Sequence, residues 1–550
     1  MNLQQKDLHA RLDALLARFN RSDAPGLVVG VAWQGRALYR KGFGMTSLEH
    51  GVANTPATRM RIGSTSKHFA CLAALLLAED GKLDIDAGVR TYIPALPELA
   101  GEPTLRQLMT HTSGYRCYLD LSLITQGVSM IGRGMPLEIE LRQRAVNFPP
   151  GERMIYCNGG YHLLSQIIAQ VSGTSFEKFL EQRIFRVMGM NDTESVSDDL
   201  RIRPRMATQH VPDGAGGYLR GLFPSLDVLG EGGIVSTIDD MLKWAGHLRE
   251  PGKLGSPNTW REMLTMPQYS SGEFGIYALG LMRTRYRNVD TIHHAGGVFG
   301  GTSQMLTVPA HALDIVIMSN GAPVDPVALA TEIVDIVLGD ETLGPPRKAA
   351  QRTVERPGLP GKYLSTARVE LVEIVDREGR LHIATHNQPH HLQPLVAQEQ
   401  GYIIDDGAGA RTRVVPHSCA ASGEVPAIDF IECGHAVTLH RIDAAPPTDA
   451  LGVSAICGQY FSHDADAHAV ISVEAREAED AGPLTLFIRG ATGGARYRLD
   501  ALTPDVWSFQ PADAATLSTG TLRIERQADK VARISLYTSR TRALAFSRID

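Results

Sequence analysis

Near its C-terminus the chain begins and ends two stretches in the same way. "GKYLS" starts at Gly361 and "GQYFS" at Gly458, while "LHRID" ends at Asp443 and "FSRID" at Asp550. Two units of similar length, each opening Gly-x-Tyr and closing Arg-Ile-Asp, imply two copies of one module. Between these signatures long helices give way to short alternating segments such as "RVELVEIVD", "RLHIATH", "LTLFIRG" and "TLRIERQ", the pattern of strands. Each unit is long enough for about eight short strands, and closure would hide their edges. Two small antiparallel barrels are expected, over 346–450 and 451–550.

Ahead of them, residues 1–345 read as one α/β unit. "GLVVGVAWQGRALYRKGFG" predicts a hairpin at a sheet edge, "DIVIMSNG" a short central strand, and "FACLAALLLAEDGKLD" a buried helix stopping near Gly81. "TSFEKFLEQRIFRVMGM" predicts a helix with a Thr/Ser cap. Leu8, Leu12, Leu15, Leu16 and Phe19 recur at helical spacing, which suits a surface helix of the mature fold rather than a signal peptide. The stretch Leu338 to Gly361, with its cluster of prolines, reads as a linker.

Bulk properties exclude several function classes. A formal charge of −6 over 550 residues gives no basic field for nucleic acid. No apolar run approaches the roughly 20 residues that span a bilayer. The six cysteines form neither CxxC pairs nor a disulfide framework, so a reduced, cytoplasmic setting is expected. "GGVFGG" lacks the helix and the acidic partner that a dinucleotide site requires. His382, His386, His390 and His391 cluster without a ligand spacing, so no metal is expected.

The chemistry rests on three short boxes. Ser64-x-x-Lys67 opens the buried helix and places hydroxyl and amine one turn apart, near free backbone N–H groups. That pair suits a nucleophile with its base, and equally two polar residues where a helix begins; alone it decides nothing. Tyr156-Cys157-Asn158 follows Pro-Pro-Gly and offers a phenol to relay a proton and an amide to hold substrate. His294-Ala295-Gly296 opens a glycine-rich strand whose bare backbone can lie against a bound acyl group.

In this order the boxes, with "LMTHTSGY", "PPGERMIYCNGGY", "RVMGMNDT" and "GEGGIVSTIDDMLKW", resemble the serine β-lactamase / DD-peptidase superfamily. With the His-x-Gly third box and two appended β modules, the whole chain resembles its D-aminopeptidase family. The resemblance implies an α/β domain of β-lactamase type, an antiparallel sheet flanked by helices plus a helical subdomain, followed by two eight-stranded, lipocalin-like barrels. It also implies a serine hydrolase working through an acyl-enzyme on a small peptide or amide, without cofactor, and a homodimer is one possible assembly. Carried onto this chain, Ser64 is the nucleophile, Lys67 its base, Tyr156 the proton shuttle and His294 a substrate-side or relay residue. Asn158 contacts substrate or fixes Lys67, and the backbone around Gly296 and Gly297 faces the acyl group, with the Ser64 and Gly297 N–H groups as oxyanion hole. In that family a loop of the last barrel enters the cleft and supplies an acid for the substrate amine. The matching stretch, Phe487 to Trp507, has arginines and no carboxylate at its tip, which makes Arg489 and Arg496 candidate substrate contacts.

Overall fold

The computed structural model describes residues 3–345, 358–385, 392–404, 412–420, 422–442, 453–474, 483–528 and 530–550. Its N-terminal part is built on a six-stranded sheet in the spatial order Met282–Tyr286, Val289–Val298, Gly301–Val308, Leu313–Ser319, Leu27–Trp33, Arg36–Phe43. All neighbours are antiparallel. The predicted hairpin thus forms one edge, and "DIVIMSNG" lies inside the sheet.

These strands are apolar on both faces because helices cover both. Val29, Val31, Ile315 and Ile317 point to one side, where the helices Leu3–Leu16 and Pro326–Leu343 add Leu12, Leu16, Leu329 and Ile333. Val28, Met305, Val316 and Met318 point to the other, towards the helices Lys67–Glu79 and Ile238–Arg249. A Cβ on Gly30 would lie 3.0 Å from Leu242, so the small residue lets the second of these helices approach. A helical lobe that includes Tyr118–Gln126, Met135–Arg142 and Asn158–Ser172 completes this part.

The last helix of this part runs to Leu343, kinked at Gly339. Leu338 to Leu343 therefore belong to a helix and not to the expected linker, because apolar residues such as Leu343 still bury there. The linker prolines within 346–357, and the divisions expected at 345/346 and 450/451, fall on or beside residues outside those described. Among the described residues no helix is long and apolar enough to cross a membrane.

Two closed eight-stranded barrels follow, Gly361–Ile442 and Gly458–Arg548. Each runs up and down and closes by pairing its last strand with its first. The sequence repeat is this closure. Tyr363 pairs across with Arg441, and Tyr460 with Arg548; each guanidinium lies over the partner ring, at 5.0 and 5.8 Å. Each phenol donates to the carbonyl four residues back, Leu359 at 2.6 Å and Ile456 at 2.7 Å. The opening glycine leaves room for the arginine, since a Cβ on Gly361 would meet Nη1 of Arg441 at 2.2 Å.

The second barrel docks on the helical lobe. Tyr118, Leu121 and Ile124 share one apolar cluster with Tyr460, Tyr497 and Trp507. The Tyr497 hydroxyl donates to the Ile124 carbonyl at 2.8 Å.

Candidate active site

Ser64 lies in a 3-10 turn, Gly63–Ser66, and the α-helix starts at Lys67 rather than at Ser64. The turn is forced by its surroundings. Gly63 has φ 51°, and a Cβ there would come within 2.9 Å of the Gly297 nitrogen, so only glycine fits. Ser303 donates to the Ile62 carbonyl at 2.8 Å and Thr65 to the His294 carbonyl at 3.1 Å, which holds the His-x-Gly strand against the turn. A Cβ on Gly296 would collide with the Ile62 carbonyl oxygen at 1.9 Å, whereas one on Gly297 would meet nothing. Gly296 therefore serves close packing, and Gly297 leaves its side open to the cleft.

Lys67 is fully buried, and its ammonium has three partners. Nζ lies 3.1 Å from Ser64 Oγ, 2.8 Å from Asn158 Oδ1 and 2.6 Å from the Glu231 carbonyl oxygen. Asn158 is placed by starting the helix Asn158–Ser172, and Tyr156 by the turn before it. The Tyr156 ring lies 4.7 Å from Lys67 Nζ and packs against His111, with 4.0 Å between centroids and the planes tilted by 34°. His111 Nδ1 accepts from the Cys157 N–H at 3.0 Å, which fixes the backbone between Tyr156 and Asn158.

His294 faces the cleft, yet both ring nitrogens are taken. Nδ1 lies 2.5 Å from the Ala295 carbonyl and so carries the proton. Nε2 therefore accepts from the Tyr277 hydroxyl at 2.8 Å. Burial, and then the nearby Lys67 charge, hold its pKa down at about 3. Burial does the same to His111, helped by Lys67, and it pushes the Tyr277 phenol up. The site is thus a set of neutral rings around one amine.

The cleft has a volume of about 750 Å³ and is lined by Ser64, Tyr156, Asn158, Tyr277, His294, Gly296 and Gly297, among others. Arg489 and Arg496 are not among the lining residues. Both are exposed on a tight hairpin, Leu484–Arg489 to Gly494–Ala501, and Arg496 pairs with Glu474 at 3.2 Å. The hairpin tip instead docks on the end of the helix Tyr118–Gln126, where the Thr492 N–H donates to Gln126 at 2.9 Å. A different loop of the same barrel reaches the cleft. Thr538–Ala543 brings Arg540 to 5.0 Å above the Tyr156 ring.

Sequence reasoning gave no role to His111, Glu231, Tyr277 or Arg540. His111 and Glu231 stand inside segments singled out by resemblance, "LMTHTSGY" and "GEGGIVSTIDDMLKW"; Tyr277 and Arg540 had no local signal. His386, His390 and His391 lie outside the described residues, and His382 contacts the Arg380 carbonyl. Among the described residues no group of three metal-ligating side chains is gathered.

A family model described as Beta-lactamase matches residues 12–338, more than half the chain. The chain belongs to that family. A D-aminopeptidase of Gluconobacter oxydans (strain 621H) is 27% identical over 564 residues, spanning 98% of each chain. Among solved structures, the octameric penicillin-binding protein homologue from Pyrococcus abyssi superposes with a TM-score of 0.54 at 21% identity, over 79% of this chain and 98% of that one. SurE superposes with a TM-score of 0.50 at 19% identity over 99% of both chains. At these identities the structural likenesses concern the fold, a β-lactamase-type domain with its appended barrels. Family and relatives make the chain a serine hydrolase.

Proposed function

We propose that the chain hydrolyses short peptides or amides through an acyl-enzyme on Ser64, releasing D-residues from their N-terminus. The coordination of Lys67 carries this reading. Two of its three partners, Asn158 Oδ1 and the Glu231 carbonyl oxygen, can only accept. The third, the Ser64 hydroxyl, can accept from the amine or hand its own proton to it, so Nζ stands where the base for Ser64 must be. Ser64 and Lys67 then act as nucleophile and base, and not as two polar residues at a helix start.

In the forward step the Ser64 proton passes to Lys67 and Ser64 Oγ bonds to the substrate carbonyl carbon. The resulting oxyanion is taken by the N–H groups of Ser64 and Gly297. Tyr156, next to Lys67, hands its proton to the departing nitrogen and takes the Ser64 proton back from Lys67, and the C–N bond breaks. Water then attacks the ester, its proton following the reverse path, and Ser64 is restored. His294, held by Tyr277, is a wall on the substrate side. The preference for D-residues is supported by the D-aminopeptidase relative.

A second reading, cleavage of N-blocked peptides containing D-residues, is favoured by one observation. The only carboxylate lining the described cleft, Glu231, is committed to Tyr118, His162 and the Leu229 N–H and offers nothing to a substrate ammonium. Turnover of D-alanine p-nitroanilide, its L-isomer and its N-acetyl form separates the two. Faster turnover of the free D-compound supports the first reading, and faster turnover of the acetylated compound the second. Equal rates for D- and L-isomers would remove stereospecificity from both.

A further inference from the structure

The C-terminal barrel places one guanidinium in the cleft, and three side chains of the catalytic part hold its loop there. Asp120 accepts from the hydroxyls of Thr538 and Thr541 at 2.7 and 2.6 Å. Asn147 donates to the Arg540 carbonyl at 2.9 Å and accepts from the Arg542 N–H at 2.8 Å. Arg116, almost fully buried, donates to the Arg542 and Ala543 carbonyls at 3.1 and 2.9 Å and pairs with Asp464 at 2.7 Å. The loop backbone is therefore fixed. The Arg540 side chain is not: among the described residues no carboxylate lies within ion-pair distance of it, and it donates no hydrogen bond. Its one neighbour of note is the Tyr156 ring.

An arginine on a fixed backbone, with five unused donors in a cleft without a free carboxylate, is a site for a planar anion. We propose that Arg540 binds the carboxylate of a short peptide substrate on its leaving-group side, so that the enzyme prefers peptides ending one residue beyond the cleaved bond over amides. The inference rests on the acyl-enzyme reading above. Arg540 lies over Tyr156, the residue that hands a proton to the departing nitrogen, and so stands beside the leaving group rather than the acyl group. In a dipeptide the α-carboxylate is two bonds from that nitrogen, within the span of one arginine side chain. A carboxylate on the acyl-side residue is the other source of the same chemistry, and the experiment separates the two.

Binding is measured by titration calorimetry on the full chain carrying Ser64→Ala, which does not depend on turnover. D-alanyl-glycine should bind more tightly than its C-terminal amide by about tenfold to a hundredfold, the range for a charge-assisted pair. Adding Arg540→Met should bring that ratio to about one. Arg540→Lys, which keeps the charge and loses the fork, should give an intermediate value. D-glutamine amide and D-glutamic acid α-amide, which differ only in an acyl-side carboxylate, should bind alike. Equal binding of the dipeptide and its amide, a ratio that survives Arg540→Met, or discrimination only between the two acyl-side compounds would each overturn the proposal. Loss of all D-substrate turnover in the wild-type chain would instead count against the acyl-enzyme reading, leaving the binding ratio to be judged separately.

Discussion

Acid should unfold the catalytic part at a pH where many enzymes are stable, and the size of the effect follows from its histidines. His68, His111, His293 and His294 are buried, and burial depresses all four, His293 to about 4 and His294 to about 3. Each stays neutral in the fold while its unfolded counterpart takes up a proton near pH 6.5. A depressed folded-state pKa gives stability that is present above 6.5 and lost as pH falls towards the folded value. From pH 7 to 5 this amounts to about 2 kcal/mol each for His293 and His294, and His68 and His111 act in the same direction. Glu140 opposes them: burial raises it well above the ordinary carboxylate value, so acid favours its folded form. The His293 and His294 contributions together, about 4 kcal/mol, are a large part of the whole stability of a typical domain. Urea unfolding at pH 7, 6 and 5, followed by tryptophan fluorescence, measures it; buried Trp244 donates to His68 at 2.6 Å and reports on the same core. In His293→Gln the loss between pH 7 and 5 should shrink by about 2 kcal/mol. A stability that is flat from pH 7 to 5 would refute the reasoning.

Three further changes test the site. Asn158→Ala removes one of the two acceptors of Lys67 and should lower kcat/KM for D-alanine p-nitroanilide by about tenfold to a hundredfold, from the usual worth of a hydrogen bond to a charged group; an unchanged value would mean that Asn158 does not position the amine. Tyr277→Phe leaves His294 Nε2 buried without its donor, which should cost about 1–3 kcal/mol in a denaturant titration. Asp120→Ala frees both threonine hydroxyls of the Arg540 loop, so limited proteolysis should cut near residues 538–543 in the variant and not in the wild type.

Much of this was readable in the sequence because it is local. The Ser64–Lys67 spacing, the Tyr156-x-Asn158 box and the glycine-rich strand after His294 are short-range patterns. The barrel repeat was readable because Tyr363 with Arg441, and Tyr460 with Arg548, close each barrel with its own terminal residues. What escaped is long-range. Lys67 meets a backbone carbonyl at Glu231, a contact that no side-chain identity announces. Tyr277 reaches His294 from a loop without a periodic signature. The loop that enters the cleft, with Arg540, is not the Phe487–Trp507 stretch that the Asp-Val-Trp ending singled out. Which loop enters the cleft depends on how the barrel docks, and Tyr497 against Ile124 and Thr492 against Gln126 turn that hairpin onto the helical lobe instead.

The most direct measurement is steady-state turnover of D- and L-alanine p-nitroanilide by the wild-type chain and by Ser64→Ala, with circular dichroism to verify the fold. Turnover of the D-compound that falls at least about a thousandfold in the variant, with the fold retained, is the predicted result. Activity that persists in Ser64→Ala, or that is equal for the two isomers, would contradict it.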